Sequence, residues 1–274
     1  PCSGIWQTVW MEPVPSAYVT SFVPTVDFDA RQLTFAIETN NGQPLAGTVD
    51  VLDGDSVVLT ASLTDTIALP STVLPWTPET PHLYRLKVKT SSGDAFYSYF
   101  ALRKFSRGLI NGVPRFMLNN APYFVLGVLD QGYWPDGLYT APSDEALRAD
   151  VALIKRLGFN TARKHAKVEP LRWYHHCDVL GVMVWQDMPS RCGINPTPGW
   201  EEDAYSDYEP PSTPEARAAF CQEWREVRHA LAAVPSIAVW VPFNEAWGQF
   251  ETERVAAETY DGVRLVNAAS GGNH

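Results

Sequence analysis

From Tyr123 onward the chain alternates apolar stretches with amphipathic helical ones, and few folds accept that order. "YFVLGVLD" reads as a buried strand. "SDEALRADVALIKRLG" reads as a helix with Ser143 as N-cap, acids in its first turn and Gly158 as its stop. Its Leu147, Val151 and Ile154 fall on one face. Strand "FNTARK", helix "EPLRWYHHCDVLG" and strand "VMVWQDM" follow, and then a Pro-rich loop from Pro189 to Ser212. A long helix opens at Thr213-Pro214 and closes at Pro235. Strand "IAVWV", a short helix near Glu253 and strand "RLVNAAS" complete the run. Strands that are apolar throughout and separated by helices specify a parallel sheet covered on its faces. A doubly wound sheet could end at five strands; a closed eight-stranded barrel could not. No glycine-rich phosphate loop follows the first strand, which weighs against dinucleotide binding.

The preceding part has another grammar. "LTFAIET", "GTVDVLD", "SVVLTASL", "HLYRLKVKT" and "AFYSYFAL" are rich in β-branched and aromatic residues, with Asn-Gly, Gly-Asp and Pro signals between them. That spacing predicts a β-sandwich. "GIWQTVWMEPV" ahead of it reads as one more strand with no sheet of its own.

The net charge of -10 argues against a nucleic-acid partner, because phosphate binding needs a basic surface. No apolar run is long enough to cross a bilayer, so no membrane partner is expected. Ten Trp and eleven Tyr suit both a packed core and a cleft that stacks on sugar faces. Cys2, Cys177, Cys192 and Cys221 lack disulfide-framework and zinc-type spacing and read as free thiols. The compartment stays open between cytoplasmic and periplasmic or secreted.

Functional groups in such folds gather at the carboxyl ends of the strands. The first four strands end in Asp130, then Arg163, Lys164 and His165, then Gln186 and Asp187, then Asn244 and Glu245. Four polar strand ends in series predict a ligand site. There is no serine elbow and no informative Cys-His pair. His175, His176 and Cys177 occupy consecutive helical positions that point in different directions, so no metal site is expected. Carboxylates, amides, an arginine and aromatics remain. That set suits sugar hydrolysis without a cofactor, one carboxyl protonating the leaving oxygen and a second attacking or activating water. A metal-assisted phosphohydrolase using Asp130, Asp187 and Glu245 is a distant alternative.

"GIWQTVWMEPV", "PWTPETPHLY", "LDQGYWPDGLYTAPSDEALRADVALIKRLGFNTARKHAKVEP", "RWYHHCDVLGVMVWQDMPS" and "WVPFNEAWGQ" together resemble glycoside hydrolase family 2, the family of β-galactosidases, β-glucuronidases and β-mannosidases. The resemblance implies a multidomain β plus α/β architecture. Residues 1–16 would be the last strand of a truncated jelly-roll sugar-binding domain, 17–105 an immunoglobulin-like β-sandwich, and 106–274 the first five strands of an incomplete (β/α)8 TIM barrel. It implies Glu245 as general acid/base and Asn244 as the partner of the sugar 2-hydroxyl. Arg163 would position the carboxylates, while Asp130, Tyr133, Trp134, His165, Trp185, Asp187 and Trp247 would line the sugar site. As a proton donor Glu245 must stay uncharged, which apolar neighbours such as Phe243 and Trp247 would favour by desolvation. The nucleophilic glutamate of the family would lie beyond His274, which makes this chain an inactive fragment of a retaining exo-β-glycosidase. A terminal β-linked sugar, most simply a β-galactoside, is the expected partner, with a homo-oligomer at full length. A β-glucuronidase, a β-mannosidase or a non-catalytic carbohydrate-binding homologue are the alternatives. Arg163, Lys164, His165 and Lys167 form a basic spot that would either attract a uronic acid or pair with the site's own acids.

Overall fold

The computed structural model describes Gly4, Ile5 and residues 7–189, 213–245 and 249–270. It divides into two compact units: residues 1–123 with 175–181 and 232–235, and residues 124–174 with 182–231 and 236–274.

In the first unit, β1 (Val19–Asp27), β2 (Gln32–Thr39), β3 (Gly47–Asp53), β4 (Ser56–Ser62), β5 (Ile67–Ala68), β6 (Tyr84–Thr90) and β7 (Ala95–Phe100) form two antiparallel sheets, ordered β1-β2-β5 and β4-β3-β6-β7. Alternation decides which residues face inward. In β6, Tyr84, Leu86 and Val88 are buried while Arg85 and Lys89 stay exposed. Leu33 and Ile67 from one sheet share a core with Val49, Leu86 and Phe100 from the other. Each such side chain contributes about 1.5–3 kcal/mol by burial. A hairpin of β8 (Phe105–Ile110) and β9 (Val113–Leu118), extended by β10 (Ala121–Pro122), makes a separate three-stranded sheet.

The strand expected at "GIWQTVWMEPV" does not form. Its described residues carry no regular element, and Val9, Trp10 and Met11 are 73%, 71% and 97% exposed. Without a neighbour to receive its hydrogen bonds, an isolated strand gains nothing from extending.

The second unit is built on β11 (Gly127–Asp130), α1 (Asp144–Arg156), β12 (Thr161–Lys164), α2 (Leu171–Leu180), β13 (Met183–Asp187), α3 (Pro214–Ala230), β14 (Ile237–Val241), β15 (Phe243–Asn244), α4 (Thr252–Thr259), β16 (Leu265–Val266) and β17 (Ala269–Ser270). The main sheet is parallel, and its strands lie side by side in chain order, β11-β12-β13-β14-β16. No strand reverses that order, so the sheet winds one way as barrel strands do and lacks the switch point of a doubly wound sheet. The helix ends follow their caps. Ser143 Oγ accepts from Ala146 N at 3.2 Å, and Thr213 Oγ1 accepts from Ala216 N at 3.2 Å. Each cap is worth about 1 kcal/mol. Among the described residues, no helix is long and apolar enough to cross a membrane.

Pro242 shapes the fourth strand. It has no N–H to give a ladder, and β14 stops at Val241. Pairing resumes one residue later, with Phe243 beside Ala269 and Asn244 beside Ser270. Phe243 is fully buried, stacked on Phe220 with centroids 5.4 Å apart and edge-on to Phe250. This cluster fixes the backbone that carries the next two residues.

Candidate active site

The parallel register brings the strand ends level: Asp130 pairs with Lys164, Arg163 with Trp185, and Lys164 with Gln186. Successive side chains point to opposite faces. The polar ends therefore separate into two networks.

The first is centred on Arg163. Its Nε donates to Asp187 Oδ1 at 3.0 Å, and one terminal nitrogen donates to Asp187 Oδ2 at 2.7 Å and to Asn244 Oδ1 at 2.6 Å. Asp187 is completely buried and also accepts from Ala166 N at 3.2 Å. Burial pushes its carboxyl above the ordinary range, while Arg163 and the Ala166 N–H act against that shift. His165 Nε2 lies 3.0 Å from Asn244 Oδ1, and Ser270 Oγ donates to the same oxygen at 3.3 Å. An arginine can only donate, so the atom it meets on Asn244 must be the carbonyl oxygen. The amide nitrogen of Asn244 is thereby left as the group available to a ligand. Gln131 Nε2 sits 3.2 Å from His165 Nδ1, which places the imidazole hydrogen on Nε2, facing Asn244.

The second network runs behind the first. Lys164 Nζ pairs with Asp130 Oδ2 at 2.9 Å and with Glu169 Oε1 at 3.0 Å, and Lys167 Nζ pairs with Glu169 Oε1 at 2.9 Å. Trp173 lies under the Lys164 ammonium at 4.1 Å. Burial pulls the Lys167 ammonium below its ordinary range, opposed by Glu169. Gln186 is buried between its donor Tyr174 and its acceptors, the backbone oxygens of Lys167 and Asp187.

Each residue expected at the site can now be placed. Arg163, His165, Asp187 and Asn244 form one constellation. Asp130 belongs to the second network and accepts from Gly132 N at 2.9 Å with its other oxygen. Tyr133 and Trp134 stand on the loop after β11, and Trp185 shares the Arg163 face of the sheet. The indole N–H groups of Trp134 and Trp185 are shielded from solvent and have no acceptor among the described residues. Glu245 is exposed, in a left-handed backbone conformation with φ 50, and its carbonyl accepts from Gln249 Nε2. One expectation at Glu245 changes. Phe243 is packed in its aromatic cluster, so it provides no desolvating wall at an exposed carboxyl. Arg163 is committed to Asp187 and Asn244. Trp247 lies outside the described residues.

Gln131, Glu169 and Ser270 complete the networks and were not foreseen. Ser270 does stand at a strand end, but its strand is two residues long. Glu169 precedes a proline-led helix and reads there as an ordinary first-turn acid.

Comparison with known proteins bears on the family and the fold. The family model for glycosyl hydrolases family 2, TIM barrel domain, matches residues 115–273, more than half of the chain. A Formosa agariphila protein described provisionally as a β-glucuronidase is 28% identical over 72% of this chain and 18% of its own length. The β-galactosidase large subunit of Latilactobacillus sakei is 23% identical over 96% of this chain and 44% of its own. Among solved structures, the β-D-glucuronidase of Dictyoglomus thermophilum superposes with a TM-score of 0.77 at 18% identity, over 92% of this chain and 44% of that one. The chain thus spans less than half of each of these proteins. It belongs to glycosyl hydrolase family 2, with that family's TIM barrel domain on residues 115–273.

Proposed function

We propose that this chain carries the acid/base half of a retaining exo-β-glycosidase site of the β-galactosidase type. Glu245 acts as general acid and then general base, and Asn244 donates from its amide nitrogen to the 2-hydroxyl of the bound sugar. The observation that carries this reading is the grip on Asn244 Oδ1 by Arg163, His165 and Ser270. It engages the acceptor end of that amide and leaves its donor end, on the residue before Glu245, for a ligand. Trp134 and Trp185 are assigned to the sugar site for their aromatic faces.

A neutral sugar suits the site better than a uronic acid. Lys164 and Lys167 are buried against Asp130 and Glu169, and Arg163 is held by Asp187. The basic spot therefore serves the site's own acids. The same pairing removes Asp187 as a nucleophile, since its oxygens are turned to Arg163 and Ala166. The second carboxylate, which belongs about 5 Å from the first in a retaining enzyme, is on this reading a residue outside the described ones, and no turnover is expected of the chain alone.

In the first unit, the seven strands from β1 to β7, split three and four over one core, support an immunoglobulin-like sandwich for residues 17–105. The barrel part is proposed for 106–274, of which 124–174, 182–231 and 236–274 make up the second unit. Residues 1–16 belong to a jelly-roll segment that becomes a strand only against its own sheet.

The test is titration of the chain with methyl β-galactoside, methyl β-glucuronide and methyl β-mannoside, followed by tryptophan emission, alongside assays on the matching chromogenic glycosides. Galactoside binding without turnover, lost in Asn244→Ala, is the expected result. Preferential binding of the glucuronide would overturn the neutral-sugar assignment, and Glu245-dependent turnover would overturn the inactivity.

A further inference from the structure

The loop after β11 is tied down by a single ammonium group. Lys167 Nζ donates to Gly132 O at 2.5 Å on the outgoing leg and to Tyr139 O at 2.9 Å on the returning leg. Between these anchors Trp134 and Leu138 exchange backbone hydrogen bonds of 2.7 and 2.9 Å. The Tyr139 ring lies 4.5 Å from the Lys167 ammonium, and Tyr133 leans on Tyr139 with centroids 5.8 Å apart. Lys167 is 1% exposed, so its charge needs a buried counter-ion, and Glu169 provides it. Gly132 completes the fit. Its φ is 67, and a methyl group there would collide with Glu169 Oε1.

We infer that Lys167 is a positioning residue, a clasp that closes the 131–140 loop at both legs and so fixes Tyr133 and Trp134 as the wall of the sugar site. It touches no substrate. Glu169 holds the ammonium in place, and Lys164 with Asp130 ties Glu169 to the strand ends. The role of that wall rests on the proposed function; the clasp itself does not.

Two readouts separate the clasp from the sugar site. Tyr133, Leu138 and Tyr139 are chymotryptic sites, and Tyr133 and Leu138 are 66% and 56% exposed on a loop that the clasp holds closed. Lys167→Met should speed cleavage within 133–139, mapped by mass spectrometry, by about tenfold or more, while the exposed control Arg156→Met should not. Gly132→Ala drives a methyl group into Glu169 Oε1 and against the Lys167 ammonium while leaving the lysine itself in the chain; it should give the same cleavage pattern, which keeps the inference testable if Lys167→Met folds poorly. Both changes break one device, so the double variant should be cleaved little faster than either single one. Unchanged cleavage in both single variants, or effects that multiply in the double, would overturn the clasp. For sugar binding, Lys167→Met and Gly132→Ala should weaken methyl β-galactoside by about tenfold relative to Arg156→Met. A protected wild-type loop with no galactoside binding would sink the proposed function and leave the clasp standing. Full galactoside affinity in a variant with a released loop would overturn the positioning role.

Discussion

Arg163 meets Asp187 with a side-on pair of hydrogen bonds, 3.0 and 2.7 Å, and carries the Asn244 carbonyl on the same terminal nitrogen. Asp187 has no exposure of its own, so the guanidinium is what makes a buried carboxylate tolerable there. Removing it leaves that charge without compensation. Arg163→Leu is expected to cost about 3–5 kcal/mol in urea unfolding, and Asp187→Asn less, because an amide oxygen still accepts from the fork. Equal costs for the two would show that the pair is not holding a charge.

Acid and base titration should reach the acids through burial. Asp150 has its carboxyl raised first by burial and then by nearby Asp130, against the pull of Lys164. A raised value means the folded chain holds the proton more tightly than the unfolded chain. Stability is therefore lost as pH climbs from the ordinary value of 3.8 toward the raised one. Asp150→Asn removes that loss. Its Tm should match the wild type near pH 3 and exceed it at pH 7; a constant offset would refute the burial account.

Glu245 occupies a backbone region that disfavours any residue with a Cβ. Glu245→Gly relieves that strain, which offsets the extra entropy glycine has when unfolded. Its stability should be unchanged or higher in denaturant melts. Ala257→Gly, at an exposed position inside α4, should lose about 1 kcal/mol. A loss at Glu245 equal to that at Ala257 would mean the strain is not there.

Phe243 connects packing to chemistry. Truncation to Ala opens the Phe220 and Phe250 cluster and should cost about 3–5 kcal/mol. Because β15 is only two residues long, the same change should also weaken the galactoside binding proposed for Asn244. Intact affinity in a destabilised Phe243→Ala chain would show that the strand is held by other contacts.

Much of this arrangement could be read from residue order. Ser143 and Thr213 behave as the caps their types suggest, and Arg163, His165, Asp187 and Asn244 meet at the strand ends while Asp130 and Lys164 fall to the other network. The division between the Arg163 and Lys164 networks was present as simple alternation, yet only the register reveals which acid each cation meets. The hairpin of β8 and β9 carried an Asn111-Gly112 turn, both with positive φ, but Gly108 and Pro114 blur its strand alternation. Glu169 was invisible as a partner, since its lysines lie on segments the helix reading kept apart. The failed strand at 4–14 shows the limit of local pattern: strand formation depends on a neighbour.

The three cations at these strand ends each sit within 3.0 Å of an acid, Arg163 on Asp187, Lys164 on Asp130 and Glu169, and Lys167 on Glu169. Opposite charges at such range cancel within a few ångströms, well inside the screening distance of physiological salt. A ligand approaching this opening feels almost no long-range pull from them. Its capture rate should hardly change between dilute buffer and molar sodium chloride, leaving shape and desolvation to choose what enters.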